Sequence, residues 1–324
     1  MRRFTRRTTL ALGAGALAAP AGWAQTAFPD KPIRLVVGFA PGGPTDVLAR
    51  LLAERLTEAI GQQVLVENKP GAAGNLASEQ VAKARPDGHT VLFGTSIMSL
   101  VPTLYATLPY DPHKDLDPVA HISSVPLILV VPPGGARTTE ELVAMLRKEP
   151  GKHSYPTPGN GSLIHLTSHL FAARAGGEAM HVPYRGSGPA MQDTLAGRHA
   201  FQFDTLGSSK GFLDAGKLRL LGVSTEARVP AMKDVPTIEE RAGFPFVSRT
   251  WNVLFAPAGT PKPVIEKLNA ATNAALRHPA LAERAAALAI DLIANSTPAS
   301  AGKYYLDQIA YWAPIAKASG AKVE

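Results

Sequence analysis

The stretch Ile33 to Leu56, IRLVVGFAPGGPTDVLARLLAERL, constrains this chain more than any other. It reads as a buried strand (Ile33, Leu35, Val36, Val37), a glycine turn (Pro41, Gly42, Gly43) and a helix whose apolar residues Val47, Leu48, Leu51, Leu52 and Leu56 recur at helical spacing. Pro44 suits the first helical position, where a missing N–H is harmless, and Thr45 and Asp46 put a hydroxyl and a carboxylate in the first turn. A strand that hands on to a helix through glycines is a place to hold an anion. Free N–H groups point outward, the helix dipole favours negative charge, and glycine lets a ligand approach the backbone. Alone the motif is unspecific, because such joints turn the chain in most α/β proteins. It is not a P-loop, since no Gly-Lys-Ser/Thr follows, nor a dinucleotide fingerprint, because its glycines are adjacent.

The order continues as strand Gln63–Glu67, glycine loop Asn68–Asn75, helix Leu76–Ala84 and strand Thr90–Phe93 ending at Gly94-Thr95-Ser96. Strand and helix in alternation imply a parallel sheet covered by helices, with ligands beyond the carboxyl ends of its strands. Gly42, Asn75 and Thr95 all fall at such ends. After the irregular Leu104–Pro118, the apolar Pro126–Val131 starts a second unit. Its helix Thr139–Arg147 and strand His153–Thr157 lead to another glycine joint, Pro158 to Ser162, in which Ser162 caps a helix Leu163–Ala175. Strand His181–Tyr184, a joint Arg185–Pro189, helix Ala190–Ala196, strand Ala200–Asp204, a helix to Ala215 and strand Leu218–Ser224 follow. Arg249–Phe255 is the return crossover, before helices Val264–Leu276, Pro279–Leu288 and Pro298–Ala318. Two crossings between the same two lobes make a hinge, and a hinge between two anion-receptive helix starts implies a clamshell.

Met1 to about Ala24 has the form of an export signal: Arg2, Arg3, Arg6 and Arg7, an apolar Leu10–Ala19, then small residues. Thr5 to Leu10 is a partial twin-arginine pattern, with Thr9 where an aromatic is usual, so ordinary secretion stays open. Four of the 33 basic residues lie in this leader, so 29 face 26 acidic ones and the mature balance is +3. That balance, with no basic run after the leader, gives no case for nucleic acid. The chain has no cysteine, which excludes a disulfide framework and lipoprotein attachment. No apolar run beyond the leader reaches the ~20 residues of a membrane span. A soluble, extracytoplasmic monomer without a cofactor is expected.

Several stretches together resemble one family, the periplasmic solute-binding components of tripartite tricarboxylate transporters, called Bug or TctC-type receptors. They are PDKPIRLVVGFAPGGPTDVLAR (29–50), GQQVLVENKPGAAGN (61–75), ARPDGHTVLFGTS (84–96), LPYDPHKDLDPVA (108–120), HVPYRGSGPA (181–190) and WNVLFAPAGTPKPV (251–264). The resemblance implies an α/β Venus-flytrap receptor without catalysis, each lobe a mainly parallel sheet flanked by helices, joined by two crossover strands. The implied bounds are 28–123 plus 252–324 for lobe 1 and 124–251 for lobe 2. Such a receptor delivers a small organic carboxylate to membrane subunits. By the resemblance, Ala40, Pro41, Gly42, Gly43, Thr45 and Asp46 hold the carboxylate in lobe 1, with Asn75, Thr95 and Ser96 lining it. Asn160, Gly161, Ser162 and His165 serve lobe 2, with Asp204 and Thr205 as its floor. Recognition in the family runs through amides, hydroxyls and water rather than ion pairs. His89 departs from it, since tyrosine is usual after Pro-Asp-Gly.

Each of these residues has a plainer reading. Asp46, in the first turn, also caps its own helix. His165 and His169 share a helical face and zinc-ligand spacing, but position 166 is leucine and no third ligand is near, so a metal is not expected. Gly207-Ser208-Ser209-Lys210-Gly211 matches the nucleophile-elbow pattern; the alternative function is therefore an exported serine hydrolase using Ser209 with Asp234 and His278. Arg185 is expected to brace its loop rather than meet a ligand. Trp251 and Trp312 are expected in the hinge and the core.

Overall fold

The structure is a computed structural model that describes residues 28–322. The leader, read from the sequence as 1–24, lies outside the described residues. The first elements are β1 (Ile33–Val37), α1 (Pro44–Ile60), β2 (Val64–Asn68), α2 (Asn75–Ala82), β3 (Thr90–Thr95) and α3 (Val101–Leu104). Next come β4 (Leu116–Val131), α4 (Thr139–Lys148), β5 (His153–Thr157), α5 (Leu163–Arg174), β6 (Ala179–Pro183), α6 (Ser187–Leu195) and β7 (Gln202–Thr205). The rest are α7 (Leu206–Asp214), β8 (Arg219–Val223), α8 (Ile238–Ala242), β9 (Arg249–Pro257), α9 (Lys262–Leu276), α10 (Pro279–Ala287), β10 (Asp291–Leu292) and α11 (Pro298–Ala318).

Pro44 is the first residue of α1, and the helix stops at Gly61, which takes the left-handed conformation (φ 75°) of a helix C-terminus. The apolar face of α1, Leu48, Leu52 and Leu56, packs with Ile33, Leu35 and Val37 of β1 and with Leu268 and Leu276 of α9 in one core. At about 25 cal/mol per Å2 of apolar surface, each fully buried leucine contributes roughly 2 kcal/mol, so this face rather than helix propensity holds α1 in place.

The strands form an eight-stranded sheet and a separate two-stranded one, β5 with β6, and the larger sheet is mixed, not mainly parallel as expected. β1 runs parallel to β2 and β3, and β5 parallel to β6. The long strands β4 and β9 run antiparallel to each other, β9 also to β3, and β4 also to β7, β8 and β10. β4 is 16 residues long and was expected only over Pro126–Val131. Its earlier part carries Pro118, His121, Ser123 and Ser124, which hide a strand from any count of apolar residues. All three polar ones are buried, and two are bonded inside: the His121 backbone N–H donates to Ser296 Oγ (3.0 Å), and Ser123 Oγ donates to Asn252 Oδ1 (3.0 Å).

Because β4 crosses from one half of the strand network to the other, its register fixes how the halves meet. The last residue of β3, Thr95, lies beside Asn252, which lies beside Ser123 of β4. The last residue of β7, Thr205, lies beside Leu127 of β4. The carboxyl ends of β3 and β7 thus point toward each other, separated by the four residues from Ser123 to Leu127, about 13 Å at ~3.3 Å per residue. α11 spans the same junction. Tyr305 packs with Trp251 and Phe255, whereas Trp312 and Ala316 pack with Leu127, Phe171 and Phe203. Trp251, in β9, and Trp312, in α11, are both buried in apolar clusters.

Candidate functional site

The register Val37 to Asn68 and Val37 to Phe93 brings the ends of β1, β2 and β3 to one edge, so residues 38–46, 69–75 and 95–96 are neighbours. Two of these loops touch at their backbones. A Cβ added to Gly38 would lie 2.7 Å from Gly74 Cα, an approach open only to glycine. That contact sets the start of α2, with Asn75, beside the turn that starts α1.

Asp46 organises this turn. Its Oδ2 accepts the Gly42 N–H and the Arg50 Nε–H, both at 2.9 Å, and its Oδ1 accepts from Asn68 Nδ2 at 2.8 Å. Asp46 is 2% exposed. The Arg50 guanidinium, with help from the Gly42 and Asn68 donors and against the opposing effect of burial, holds its carboxyl down at about 2. The carboxylate is therefore occupied by its own loop, as the plainer reading has it, and takes the Gly42 N–H away from any ligand. Asn68 was not foreseen. Its Nδ2 also donates to Phe39 O (3.0 Å), so one side chain at the end of β2 ties both ends of the turn. The N–H groups of Gly43, Thr45 and Asp46 have no partner among the described residues, and Pro41 and Gly42 are exposed around them.

Asn75 is buried, and its Oδ1 accepts from Tyr110 OH at 3.0 Å. That bond points Nδ2 the other way, where it has no partner among the described residues. Tyr110, within the quoted stretch 108–120 but not singled out, is the residue that orients Asn75. Thr95 and Ser96 sit where β3 ends beside Asn252, whose Nδ2 donates to Gly94 O (3.4 Å).

The second set of loops follows β5, β6 and β7. Ser162 caps α5 as expected: Oγ accepts the His165 N–H (3.2 Å) and donates to Gly159 O (2.8 Å). Gly161, at φ 72°, turns its own N–H onto His165 Nδ1 (3.2 Å). An imidazole that accepts at Nδ1 carries its proton on Nε2, so His165 is a neutral donor. Burial chiefly, then the neighbouring His181 and His169, hold its pKa down at about 3. The His181 ring stacks on it at 3.6 Å and 11°, and His181 Nε2 meets Thr157 Oγ1 at 2.7 Å. Thr157 in turn donates to Gly159 O (3.1 Å), so His181 and Thr157, both unforeseen, brace the Gly159–Ser162 loop from behind. Asn160 turns its side chain outward: Nδ2 donates to Lys322 O at 2.8 Å.

Asp204, at the end of β7, is 2% exposed. It accepts the Thr205 N–H (2.8 Å) and the Ser209 hydroxyl (3.0 Å). Burial pushes its pKa up to about 6 against the pull of those donors. Ser209 is itself fully buried within α7 and its hydroxyl is used on Asp204, while His278 Nδ1 accepts the Ala280 N–H (3.3 Å) at the start of α10. The elbow pattern therefore forms a helix with an internal hydrogen bond and no Ser–His pair. Among the described residues there is no group of three or more His, Cys, Asp or Glu that would hold a metal ion.

The predicted residues thus gather into two sets, one at the ends of β1–β3 and one at the ends of β5–β7. Among the described residues no hydrogen bond joins 40–46 to 158–165. Two open cavities of about 520 and 490 Å3 lie elsewhere, one by Glu140, Arg147 and Arg241, the other by Gly135, Ser154 and His199. Neither includes a residue of the two sets. Arg185, expected to brace its loop, makes no side-chain hydrogen bond or ion pair among the described residues.

Residues 48–321 match the model of the tripartite tricarboxylate transporter family receptor, TctC. The chain is 36% identical over 302 residues to protein BugT of Bordetella pertussis, an alignment covering 92% of each. Among solved structures it is similar to Rpa4515 of R. palustris with adipate (34% identity, TM-score 0.82, covering 91% of this chain and 100% of that one). It is also similar to MatC of Rhodopseudomonas palustris with bound malate (31% identity, TM-score 0.78, covering 89% and 100%). Its α/β fold is that of the periplasmic binding proteins, and the chain belongs to the TctC family, the non-enzymatic receptors of tripartite tricarboxylate transporters.

Proposed function

We propose that the mature chain is a periplasmic receptor whose two lobes, 28–123 plus 252–324 and 124–251, close as a Venus flytrap on a small organic carboxylate. It then presents the acid to the membrane subunits of a tripartite transporter. One observation carries the reading: β4 runs through both halves, pairing with β9 over 116–126 and with β7 and β8 over 127–131, and along it the carboxyl ends of β3 and β7 stand four residues apart, facing each other. The strand ends on either side carry the two helix starts, so a hinge at 124–126 and 249–251 brings the Thr45 and Ser162 turns onto one anion. The donors there are neutral: the Gly43, Thr45 and Asp46 amides on one side and the Nε2–H of His165 on the other. Closure excludes water and strengthens each of these bonds. Adipate and malate in the two relatives make dicarboxylates of that length range the first acids to try.

Linkage gives the test. An acid present at 100 times its Kd stabilises the folded state by roughly 2.7 kcal/mol. For a chain of this size that is a rise in Tm of about 5 °C. A panel of mono- and dicarboxylates that gives neither a Tm shift nor calorimetric heat contradicts the proposal.

A further inference from the structure

We infer that Ser154 is an activated nucleophile, a modification site that accepts an acyl group from small apolar esters. The site is separate from the two glycine turns and does not depend on the carboxylate reading. Ser154 lies near the start of β5, three residues before Thr157 and so about 10 Å along the strand from the end that carries the Gly159–Ser162 loop, at ~3.3 Å per residue. It lines the open cavity of about 490 Å3 together with His199, Met145, Leu195 and Pro132. The Ala200 N–H donates to Ser154 O (2.9 Å), which sets His199 against the strand, and the ring is buried there at 6% exposure.

Four side chains in a row fix where the protons lie. Ser154 Oγ is 2.9 Å from His199 Nδ1, His199 Nε2 is 2.9 Å from the Tyr184 hydroxyl, and that hydroxyl is 2.5 Å from Asp193 Oδ2. The Tyr184 hydroxyl first, against the effect of desolvation, and then Arg198, which donates to Oδ1 at 2.7 Å, hold the Asp193 carboxyl below the usual carboxylate range. An ionised carboxylate only accepts, so Tyr184 gives Asp193 its one proton and takes the Nε2–H of His199 on its oxygen. Burial chiefly, against the pull of Asp193 and with Arg198, holds the imidazole pKa below its ordinary value, so the ring is neutral at pH 7 and Nδ1 is a bare acceptor. The Ser154 hydroxyl supplies the proton on that side; its other acceptor, Arg198 O, is farther away at 3.4 Å. A hydroxyl that donates to a neutral imidazole, itself oriented through its second nitrogen, is the arrangement that activates a serine. The Thr157–His181 pair at the other end of β5 lacks it, because Thr157 spends its proton on Gly159 O. In the step itself Oγ attacks the ester carbonyl carbon and its proton passes to His199 Nδ1. The acyl C–O bond breaks, and the alkoxide takes that proton and leaves as an alcohol. Met145, Leu195 and Pro132 give the cavity an apolar wall for the acyl group.

The test treats the purified mature chain with a fluorophosphonate, which loses fluoride to an activated serine, and locates the adduct by mass spectrometry. One adduct is expected, on Ser154, and prior incubation with phenyl butyrate is expected to slow its formation. Ser154→Ala, which loses only the hydroxyl, is expected to form none at that position. His199→Gln, on protein with the wild-type melting curve, is expected to react roughly a hundredfold more slowly. A wild type left unmodified at Ser154, or a His199→Gln variant modified at the wild-type rate, overturns the inference. Labelling of Ser154 that phenyl butyrate does not slow overturns the acyl assignment. None of these results bears on carboxylate binding.

Discussion

Gly42 donates its N–H to the Asp46 carboxylate at 2.9 Å, so the turn that leads into α1 is held in shape by the first turn of that same helix. Arg50 and Asn68 hold the carboxylate from its other sides. The consequence is a preorganised row of amides at Gly43, Thr45 and Asp46, formed before any ligand arrives.

Removing that anchor separates fold from function. Asp46→Ala leaves the Gly42 N–H and the Arg50 guanidinium without their acceptor and is expected to lower stability by roughly 2 kcal/mol. It is also expected to weaken carboxylate binding by an order of magnitude, as the turn loosens, whereas Asp46→Asn keeps an acceptor for Gly42 and falls between. Calorimetry and urea denaturation on the two variants check this. Wild-type affinity in Asp46→Ala excludes the turn from the ligand site.

Gly38 gives a steric version of the same experiment. Its missing Cβ admits Gly74 Cα, so Gly38→Ala forces the two loops apart, at an expected loss of roughly 1–3 kcal/mol together with affinity. Gly134→Ala, where a Cβ meets nothing within 4 Å, is the control and leaves both unchanged. Equal behaviour of the two variants contradicts the close contact.

The two buried carboxylates make opposite contributions as pH changes. Asp46 is held at about 2, below its ordinary value, so its stabilisation is complete above pH ~4 and is lost as pH falls toward 2. Asp204 is pushed up to about 6. Between pH ~4 and ~6 the folded state keeps a proton that the unfolded state has released, so stability falls as pH rises through that window. Asp204→Asn removes this fall. Urea denaturation at pH 4 and pH 7 is expected to show the variant gaining on the wild type by roughly 2 kcal/mol at the higher pH. A difference that does not change with pH contradicts the assignment.

His165 and His181 are held at about 3 and about 4, chiefly by burial, and stay neutral near neutral pH. Carboxylate affinity is therefore expected to be flat between pH 6.5 and 8, above the titration of Asp204. His165→Phe, which removes both the acceptor for Gly161 and the Nε2–H, is expected to bind roughly tenfold more weakly. Affinity that climbs steadily as pH falls across that range points to an imidazolium and against the neutral donor.

Local signals carried most of the element order. Pro44 at the start of α1, Ser162 as the cap of α5 and the strand His153–Thr157 were all legible, because each depends on a few adjacent residues. The two glycine joints were legible as turns into helices for the same reason. Register was not legible. The antiparallel course of β4 and β9 depends on pairing between residues more than a hundred positions apart, and buried Ser123, His121 and Asn252 satisfy one another in ways no periodicity reveals. Asn68 reads as a turn residue before Lys69-Pro70-Gly71, yet it ties Phe39 to Asp46 across a strand pairing. Arg185 reads as a brace, yet its side chain makes no hydrogen bond or ion pair among the described residues, since the chain bends there after β6 ends at Pro183.

The central claim is that the turns at Thr45 and Ser162 share one carboxylate across the hinge. A crystal structure of the mature chain with adipate tests it most directly. The account predicts one carboxylate within hydrogen-bond distance of the Thr45 amide or hydroxyl and, in the same molecule, of Ser162 or His165 Nε2. An acid bound away from both turns, or held by one of them with the other facing solvent on the opposite side of the molecule, contradicts it.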